Sequence, residues 1–338
     1  MEESDVKNST AVDTSPLYIS EEVLAVFTLV SNCSILLVIS FFGVVFNIIN
    51  MAVFTQMGLT DPVNITLLGL ALSDMGACLM LMLLGVFSHP TISLQYGVYG
   101  YFMSWPHIGF SRVSSWLTVY ITFERYICIA FPLKVKRIIT TARTVMIVIS
   151  IFSIFAASVT PALLVLRIVE YPISGTNLTY VYLGYTPDGR EVENVAVTFN
   201  NIALFLSFPS VIVCTILIVI KLNAKTKWRS ESSSSSKNES VTLRDKKVVK
   251  MVTFLACNFI LSYIPAVVAT IGMVSTSDYS ALGSFSRFFS VSWSLIFCIE
   301  STNSAVNIFV YLKMSSRYKS VFLAMFGFNV QVPRAQAD

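Results

Sequence analysis

The distribution of charged residues is the feature that most constrains this chain. No Asp, Glu, Lys or Arg occurs at positions 23–60, 144–166, 194–220 or 251–277. Three further stretches, 62–88, 98–130 and 288–312, contain very few charged residues. Each stretch can supply the roughly 20 apolar residues that a helix needs to cross a bilayer. The sequence therefore predicts an all-α membrane protein with a seven-helix bundle.

Composition argues against a soluble fold and leaves a simple domain plan. Charged residues make up 12% of the chain, whereas soluble domains contain about a quarter. We place the spans at 23–54, 63–87, 97–130, 143–166, 195–222, 245–274 and 283–313. Residues 1–22 form a polar N-terminal tail, 23–313 the seven-span domain with a flexible connection at 223–244, and 314–338 a tail that begins with a helix. Apolar residues recur at helical spacing in that tail with basic residues between them, which predicts an amphipathic helix on the membrane surface.

The basic residues predict the orientation of the bundle. Most of the 23 Lys and Arg residues fall at 125–143, 221–250 or after 312, in the segments that follow spans 3, 5 and 7. Positively charged segments stay in the cytoplasm. We therefore expect a multi-pass plasma-membrane protein with an extracellular N-terminus and a cytoplasmic C-terminus. Sequons at Asn8 and Asn177 lie on the extracellular side, where we expect glycosylation.

All 6 cysteines lie inside spans or at their ends. They have the pattern of small apolar core residues. We expect no structural disulfide.

Asp74 is the most deeply placed ionisable residue. Such residues face the interior of a helix bundle. Polar residues lie at a compatible depth on spans 1, 3 and 7: Asn47, Asn50, Ser114, Asn303, Ser304 and Asn307. One interpretation is a hydrogen-bonded network that holds the helices together. The other is a sodium site, formed with Asp74 by Ser114, Asn303, Ser304 and Asn307, because carboxylate, hydroxyl and amide oxygens suit a hard cation.

Glu124-Arg125-Tyr126 ends span 3 beside a basic segment. An arginine at a helix end is commonly an anchor that reaches the membrane surface. Asp245, at the start of span 6, allows a second interpretation, in which an ion pair with Arg125 holds spans 3 and 6 together in one state.

Taken in order, these motifs resemble the rhodopsin-like (class A) G-protein-coupled receptors over nearly the whole chain. The matching positions are Asn47, the Leu70-Ala71-Leu72-Ser73-Asp74 motif, Glu124-Arg125-Tyr126, Pro209, Pro265 and Asn307-Ile308-Phe309-Val310-Tyr311. The resemblance implies a receptor that binds an extracellular ligand inside the bundle and activates a heterotrimeric G protein, without a required cofactor. It also implies an activation switch made of Glu124, Arg125, Tyr126, Asp245, Phe259, Pro265, Asn307 and Tyr311.

Departures from the family pattern narrow the choice of ligand. Gly100 stands where the family has a cysteine, so its disulfide to the loop after span 4 cannot form. Ser301 replaces the retinal-binding lysine of opsins, and His107 replaces the aspartate of amine receptors. Ile308 replaces the span-7 proline, and Tyr263 replaces the span-6 tryptophan.

We expect the ligand pocket to contain an aromatic and charged set: Trp105, His107, Ser111, Arg112, Tyr263, Trp293 and Glu300. Arg112 and Glu300 lie within apolar spans that face each other in the family. They could bind the two ends of a zwitterionic or amidated ligand, or they could pair with each other and fix the packing of the helices.

The segment 121–136 is similar to two invertebrate groups, the molluscan chemosensory receptors and the FMRFamide-like neuropeptide receptors. The form of Phe131-Pro132-Leu133-Lys134-Val135-Lys136 favours the first group, so we predict a chemosensory receptor for a small molecule, with a peptide receptor as the alternative. A transporter or channel is a distant alternative, because neither internal repeats nor a filter sequence is visible. His89 and His107 form no catalytic or metal pattern, and we expect neither an enzyme nor a nucleic-acid partner.

Overall fold

A computed structural model describes residues 19–89, 96–172, 179–232, 237–280 and 283–328, although the side chains of 96–99, 179–182, 225–232 and 237–249 lie outside that description. The described residues are almost entirely helical, which confirms the predicted all-α membrane class. The seven long helices, numbered here as spans 1 to 7, are Glu21–Met57, Pro62–Phe87, Tyr96–Ala130, Thr141–Val165, Gly189–Ser232, Lys237–Ser275 and Ser286–Met314. Span 1 contains one π-helical stretch, Ser31–Leu36.

Six of these helices are long and apolar enough to cross a membrane, and span 3 is the exception among the described helices. Span 3 is 35 residues long, which is enough to cross a bilayer. It differs from the other six spans because it is more polar. Its position explains that polarity, because it packs against spans 2, 4, 5 and 6 in the middle of the bundle. A central helix contacts other helices more than lipid, so it can contain serine, threonine and charged residues.

The helix boundaries follow local chemistry. The carboxylate of Asp61 accepts a hydrogen bond of 3.1 Å from the amide of Val63, and Pro62 occupies the first turn of span 2. Both are preferred at the start of a helix. Gly58 ends span 1 with a φ of 93°, a backbone conformation that side chains disfavour. The hydroxyl of Thr140 likewise caps the start of span 4.

Small residues allow the central helices to approach each other closely. A Cβ atom built on Gly76 of span 2 would lie 2.7 Å from the ring of Phe110 on span 3. Close approach at small residues is typical of helix packing in membranes. Span 3 is thereby placed where its polar side chains reach spans 2, 6 and 7.

The two ends of the bundle differ. Between spans 4 and 5, strands β1 (Leu166–Pro172) and β2 (Thr179–Tyr185) form an antiparallel hairpin. The sequence analysis treated this segment only as a loop. After span 7, the helix Ser316–Met325 packs on spans 1 and 7 with Tyr318 and Val321 buried, which agrees with the predicted tail helix. We refer to these as the hairpin end and the tail end.

At the tail end, spans 5 and 6 extend further than the sequence predicted. The expected flexible connection covered 223–244, but helix continues to Ser232 and resumes at Lys237. Lys, Arg and Glu occur in both helical parts of this stretch, and all three favour helix. Between spans 3 and 4, the short helix Val135–Ile138 lies at the same end.

Candidate functional site

A narrow cavity lies between spans 2, 3, 6 and 7. The empty space within it amounts to about 220 Å³ in total, but no single gap is wide enough to hold a water molecule. A ligand can therefore enter only if side chains move. The lining residues are Ala77, Cys78, Leu81, His107, Ser111, Ser114, Tyr263, Glu300, Ser301 and Ser304.

Two hydrogen-bonded pairs cross this cavity. The Nε2 atom of His107 lies 2.9 Å from an Oε atom of Glu300, which joins spans 3 and 7. The hydroxyls of Ser111 and Tyr263 lie 2.9 Å apart and join spans 3 and 6. All four side chains are buried. The partner of Glu300 is therefore His107, and among the described residues it forms no direct ion pair with Arg112.

Arg112 lies on the side of span 3 that faces span 5. Its Nε atom donates a hydrogen bond of 3.0 Å to the backbone carbonyl of Asn200. The side-chain amide of Asn200 donates in turn to Ser158 of span 4 at 3.2 Å. Asn200 could not be singled out from the sequence, because it is one of two consecutive asparagines in a long apolar stretch.

The structure places both predicted tryptophans outside the cavity. Trp105 is buried against Val159, Ala162, Leu166 and Ala196, on the side of span 3 that faces spans 4 and 5. Trp105 and His107 are two residues apart, so about 200° separates them around the helix, and only His107 faces the cavity. Trp105 therefore does not line this cavity, and its role in ligand binding stays a prediction.

Trp293 also lies outside the lining of the cavity. It packs against the rings of Phe289 and Phe297, at 5.9 and 5.7 Å between centroids. Phe297 in turn lies edge-on to His107 at 5.3 Å. Trp293 is therefore connected to His107 through the ring of Phe297, a residue that the sequence did not single out.

Asp74 is buried below the cavity and accepts hydrogen bonds from two spans. Ser114 donates to its Oδ1 atom at 2.7 Å, Ser304 donates to the same atom at 3.3 Å, and Asn307 donates to Oδ2 at 2.8 Å. Asn303 is elsewhere, where it accepts a hydrogen bond of 2.7 Å from Asn258 of span 6. Four of the five residues predicted for a cation site therefore come together, and their oxygens are of the type that suits a hard cation.

A relay of hydrogen bonds connects this region with the tail helix. The backbone carbonyl of Ser304 accepts from Asn47 at 3.1 Å, and Asn47 accepts from Asn50 at 3.2 Å. Asn50 then accepts a hydrogen bond of 2.6 Å from the hydroxyl of Tyr318. Tyr318 thus joins a surface helix to the interior polar network.

Glu124 and Arg125 face different neighbours at the tail end. The buried carboxylate of Glu124 accepts from Thr66 at 3.2 Å and from Thr144 at 3.4 Å, which ties span 3 to spans 2 and 4. The Nε atom of Arg125 has no hydrogen-bond partner among the described residues. Asp245 belongs to span 6, but its side chain lies outside the described part of the structure, so the Arg125–Asp245 pair stays a prediction.

The remaining predicted switch residues lie on spans 3, 6 and 7. Phe259 is buried beneath Tyr263 with 4.5 Å between ring centroids, and Pro265 lies inside span 6. Tyr311 contacts Phe54 and Tyr318 at 5.2 and 5.4 Å. Tyr126 contacts Phe131 at 6.5 Å.

Comparison with protein families identifies the fold of this bundle. Residues 34–329 match the family model described as serpentine type 7TM GPCR chemoreceptor Srw. The chain belongs to this family. It is therefore a multi-pass membrane protein of the G-protein-coupled receptor class.

Two individual proteins are also similar to this Srw-family chain. The FMRFamide receptor of Drosophila melanogaster is 23% identical over 320 residues, which cover 90% of this chain and 55% of that receptor. The neuropeptide FF receptor 2 of Rattus norvegicus is 28% identical over 291 residues, which cover 78% of this chain and 64% of that receptor. The chain thus spans about half the length of the first relative and less than two thirds of the second.

The Srw-family chain secures its hairpin end with a carboxylate. Glu193 of span 5 accepts hydrogen bonds from Tyr101 of span 3 at 2.5 Å and from Tyr185 of the hairpin at 2.8 Å. Burial and this hydrogen bond raise the pKa of the Tyr185 hydroxyl, which keeps it a proton donor. The sequence analysis missed this cluster, because an acidic residue near the start of a helix is ordinary. Asn8 and Asn177, the predicted glycosylation sites, lie outside the described residues.

Proposed function

We propose that this chain is a receptor that binds an extracellular ligand in the cavity between spans 2, 3, 6 and 7 and activates a heterotrimeric G protein. The observation that carries the proposal is the continuity of that cavity. His107, Glu300 and Tyr263 line one part of it, and Ser114 and Ser304, which both hold Asp74, line the other. A ligand that displaces the first group therefore acts on side chains connected to the tail end.

The proposed orientation puts the hairpin end outside the cell and the tail end in the cytoplasm of a plasma-membrane protein. The basic residues after spans 3, 5 and 7 support this orientation. The rhodopsin-like character belongs to the same proposal, supported by the ordered motifs. The predicted glycans at Asn8 and Asn177 are extracellular in this arrangement.

The structure suggests how span 6 would move. Tyr263 is held to span 3 by its hydrogen bond to Ser111, and it stacks on Phe259 one turn below. Pro265 lacks a backbone N–H, so the helix is less restrained there. Replacement of the Ser111–Tyr263 bond by a bond to a ligand would release span 6 and separate Asp245 from Arg125. The ligand shifts this equilibrium only through its preference for the open state.

The tail end offers a surface for the proposed G protein. Leu133 is 99% exposed between the end of span 3 and the short helix Val135–Ile138. Lys134, Lys136 and Arg137 surround it. An exposed apolar side chain within a basic segment suits a partner with an apolar pocket and an acidic rim.

A chemosensory role is the favoured form of this proposal. The description of the matched family supports it. The resemblance of segment 121–136 to molluscan chemosensory receptors points the same way. The alternative, a neuropeptide receptor, is supported by the names of both relatives. A transporter or a channel remains a distant alternative.

A sodium ion at Asp74 is a further part of the proposal. The carboxylate and the hydroxyls of Ser114 and Ser304 provide oxygens in one buried place, and Asn307 adds an amide. Asn303, which is bonded to Asn258, would have to rotate to take part. No other cofactor is proposed.

Nucleotide exchange on purified Gα subunits tests the proposal without a known ligand. Membranes containing the chain should accelerate exchange on at least one Gα class over membranes that lack it. Asp245→Ala should raise this basal rate, because it removes the proposed partner of Arg125. Arg125→Ala serves as the uncoupled control. If neither the wild type nor Asp245→Ala accelerates exchange on any Gα class while both reach the cell surface, the receptor proposal is wrong.

The site of expression separates the two forms of the receptor. In situ hybridisation confined to sensory epithelium would support the chemosensory role. Expression in central neurons or muscle would support the neuropeptide receptor instead.

A further inference from the structure

The hairpin half of the bundle contains buried nitrogen atoms without acceptors. Among the described residues, the indole Nε1 atoms of Trp105 and Trp293 and the Nδ1 atom of His107 are buried and have no hydrogen-bond partner. Buried polar groups are nearly always satisfied in native proteins. Both indoles lie outside the cavity, and the role of the His107 Nδ1 atom depends on its tautomer, so these atoms alone do not identify a ligand group.

Arg112 is a charged donor in the same half of the bundle. It is 7% exposed, and its only hydrogen bond among the described residues runs from Nε to the carbonyl of Asn200. Its two terminal nitrogens thus face no acceptor within the described part of the bundle. Arginine stays protonated even when it is buried. A buried cation opposite a neutral carbonyl alone is costly, because it has given up water without gaining a counter-charge.

The nearby carboxylate does not supply that counter-charge directly. Glu300 is hydrogen-bonded to His107 at 2.9 Å and forms no ion pair with Arg112. Arg112 is not among the residues that line the cavity, and its guanidinium turns toward Asn200 of span 5. Ser111, its neighbour in the chain, lines that cavity. The uncompensated charge is therefore adjacent to the proposed ligand site, on the side of span 5.

We infer that the ligand is a small organic acid whose carboxylate binds the terminal nitrogens of Arg112. The inference rests on the proposed function and specifies its ligand class. A carboxylate matches the planar guanidinium with two parallel charge-assisted hydrogen bonds. An amidated peptide end is neutral and would leave the charge of Arg112 uncompensated. A cationic group for Glu300 is not required, because His107 already holds that carboxylate.

Acetate is a suitable probe because its carboxylate is small enough for any carboxylate site. The full chain is purified in detergent, and its melting temperature is measured in sodium acetate, in acetamide and in sodium chloride at matched sodium concentration. We expect acetate to raise the melting temperature in a saturable manner, while chloride and acetamide do not. Inorganic phosphate in the same assay reports on other oxyanions. Stabilisation by phosphate but not by acetate would overturn the carboxylate assignment.

Variants locate the effect. Arg112→Gln should weaken the apparent affinity for acetate about tenfold or more, which corresponds to the loss of one charge-assisted contact. Arg112→Lys should retain part of it. Arg143 provides a matched control, because it also donates to backbone carbonyls, at 2.6 and 3.1 Å, but lies at the tail end. Arg143→Gln should respond to acetate like the wild type.

A measurement without any ligand tests the charge argument itself. Arg112→Met removes the cation but keeps an apolar chain, so it should fold and melt at or above the temperature of the wild type. If Arg112→Met melts at a clearly lower temperature, Arg112 is a structural residue and the inference fails. The inference also fails if acetate acts equally on the wild type and on Arg112→Gln.

These outcomes are separable from failure of the receptor proposal. If basal exchange on Gα is present but no Arg112-dependent effect of acetate is found, the receptor stands without an acidic ligand. If acetate binds through Arg112 but even Asp245→Ala drives no exchange, the anion site stands and the receptor proposal fails.

Discussion

The hydroxyl of Tyr101 donates a hydrogen bond of 2.5 Å to the carboxylate of Glu193. This bond joins spans 3 and 5 at the hairpin end, one residue away from Gly100, where the rhodopsin-like resemblance implies a disulfide cysteine. The hydroxyl of Tyr185, on the hairpin, donates to the same carboxylate at 2.8 Å. A polar cluster thus ties spans 3 and 5 to the hairpin.

Glu193→Gln should loosen the hairpin end. The amide retains one acceptor oxygen and loses the charge, so one tyrosine loses a charge-assisted bond, at a cost of about 1–3 kcal/mol in the free energy of unfolding. Differential scanning fluorimetry of the purified chain measures this loss. Dithiothreitol should leave the melting temperature of the wild type unchanged. A large drop on reduction would show that a disulfide, and not Glu193, secures this end.

The stability of the hairpin end should depend on pH in the alkaline range. Burial raises the pKa of Tyr185 above its ordinary value of 10.0, so the folded state holds the proton more tightly than the unfolded state does. This stabilising effect is fully present below pH 10 and is lost as the pH rises through the higher pKa of the folded state. Melting curves from pH 8 to pH 11 should therefore fall less steeply for Tyr185→Phe than for the wild type. Tyr171→Phe, which alters an exposed tyrosine of the same hairpin, should resemble the wild type.

Sodium should stabilise the chain through Asp74. Replacement of sodium by N-methylglucamine at constant ionic strength should lower the melting temperature of the wild type and leave Asp74→Asn unaffected. Ser114→Ala should show an intermediate dependence, because Ser114 contributes one oxygen beside Asp74. Equal behaviour of the wild type and Asp74→Asn would leave Asp74 as a purely structural hydrogen-bond acceptor.

Leu133→Ala should reduce coupling to the G protein without affecting folding. Its side chain is 99% exposed, so truncation removes little buried area within the chain itself. Apolar anchors of an interface cost about 1 kcal/mol or more when truncated. Nucleotide exchange should fall several-fold while the melting temperature stays constant. An unchanged exchange rate would exclude Leu133 from the contact surface.

Tyr318 and Asn50 should be energetically coupled. Tyr318→Phe removes the hydroxyl that donates to Asn50 at 2.6 Å, and Asn50→Ala removes its acceptor. Each change should cost about 1 kcal/mol, and the double variant should cost less than the sum. Unfolding of the four proteins in detergent gives the coupling energy. A coupling energy of zero would mean that the contact is incidental.

Sequence predicted the all-α membrane class, because a helix needs about 20 apolar residues to cross the bilayer. It also brought together Asp74, Ser114, Ser304 and Asn307, since intramembrane polar residues turn inward. The direction in which each side chain points was harder to predict from the sequence. Trp105 and His107 are both plausible pocket residues in the chain, but only the rotation of span 3 shows that they face opposite sides.

Neither the hairpin-end cluster around Glu193 nor the partner of Glu300 could be predicted from the sequence, for a related reason. Charge alone suggested Arg112 as the partner of Glu300, whereas the packing of the spans brings His107 to it and turns Arg112 toward Asn200. Tyr101, Tyr185 and Glu193 lie on three separate elements. Their meeting depends on tertiary geometry that no local pattern records.

The bond between Tyr318 and Asn50 has a consequence for the lipid environment. The tail helix is amphipathic, so its depth responds to the thickness and headgroup charge of the leaflet on which it lies. Lifting this helix would break a bond that continues through Asn47 to Ser304, the residue that also holds Asp74. Seating of the tail helix on the leaflet and ligand binding in the cavity are then coupled equilibria. Each changes the free energy of the other by the same amount. The membrane is, in that sense, a second effector of this protein as well as its solvent.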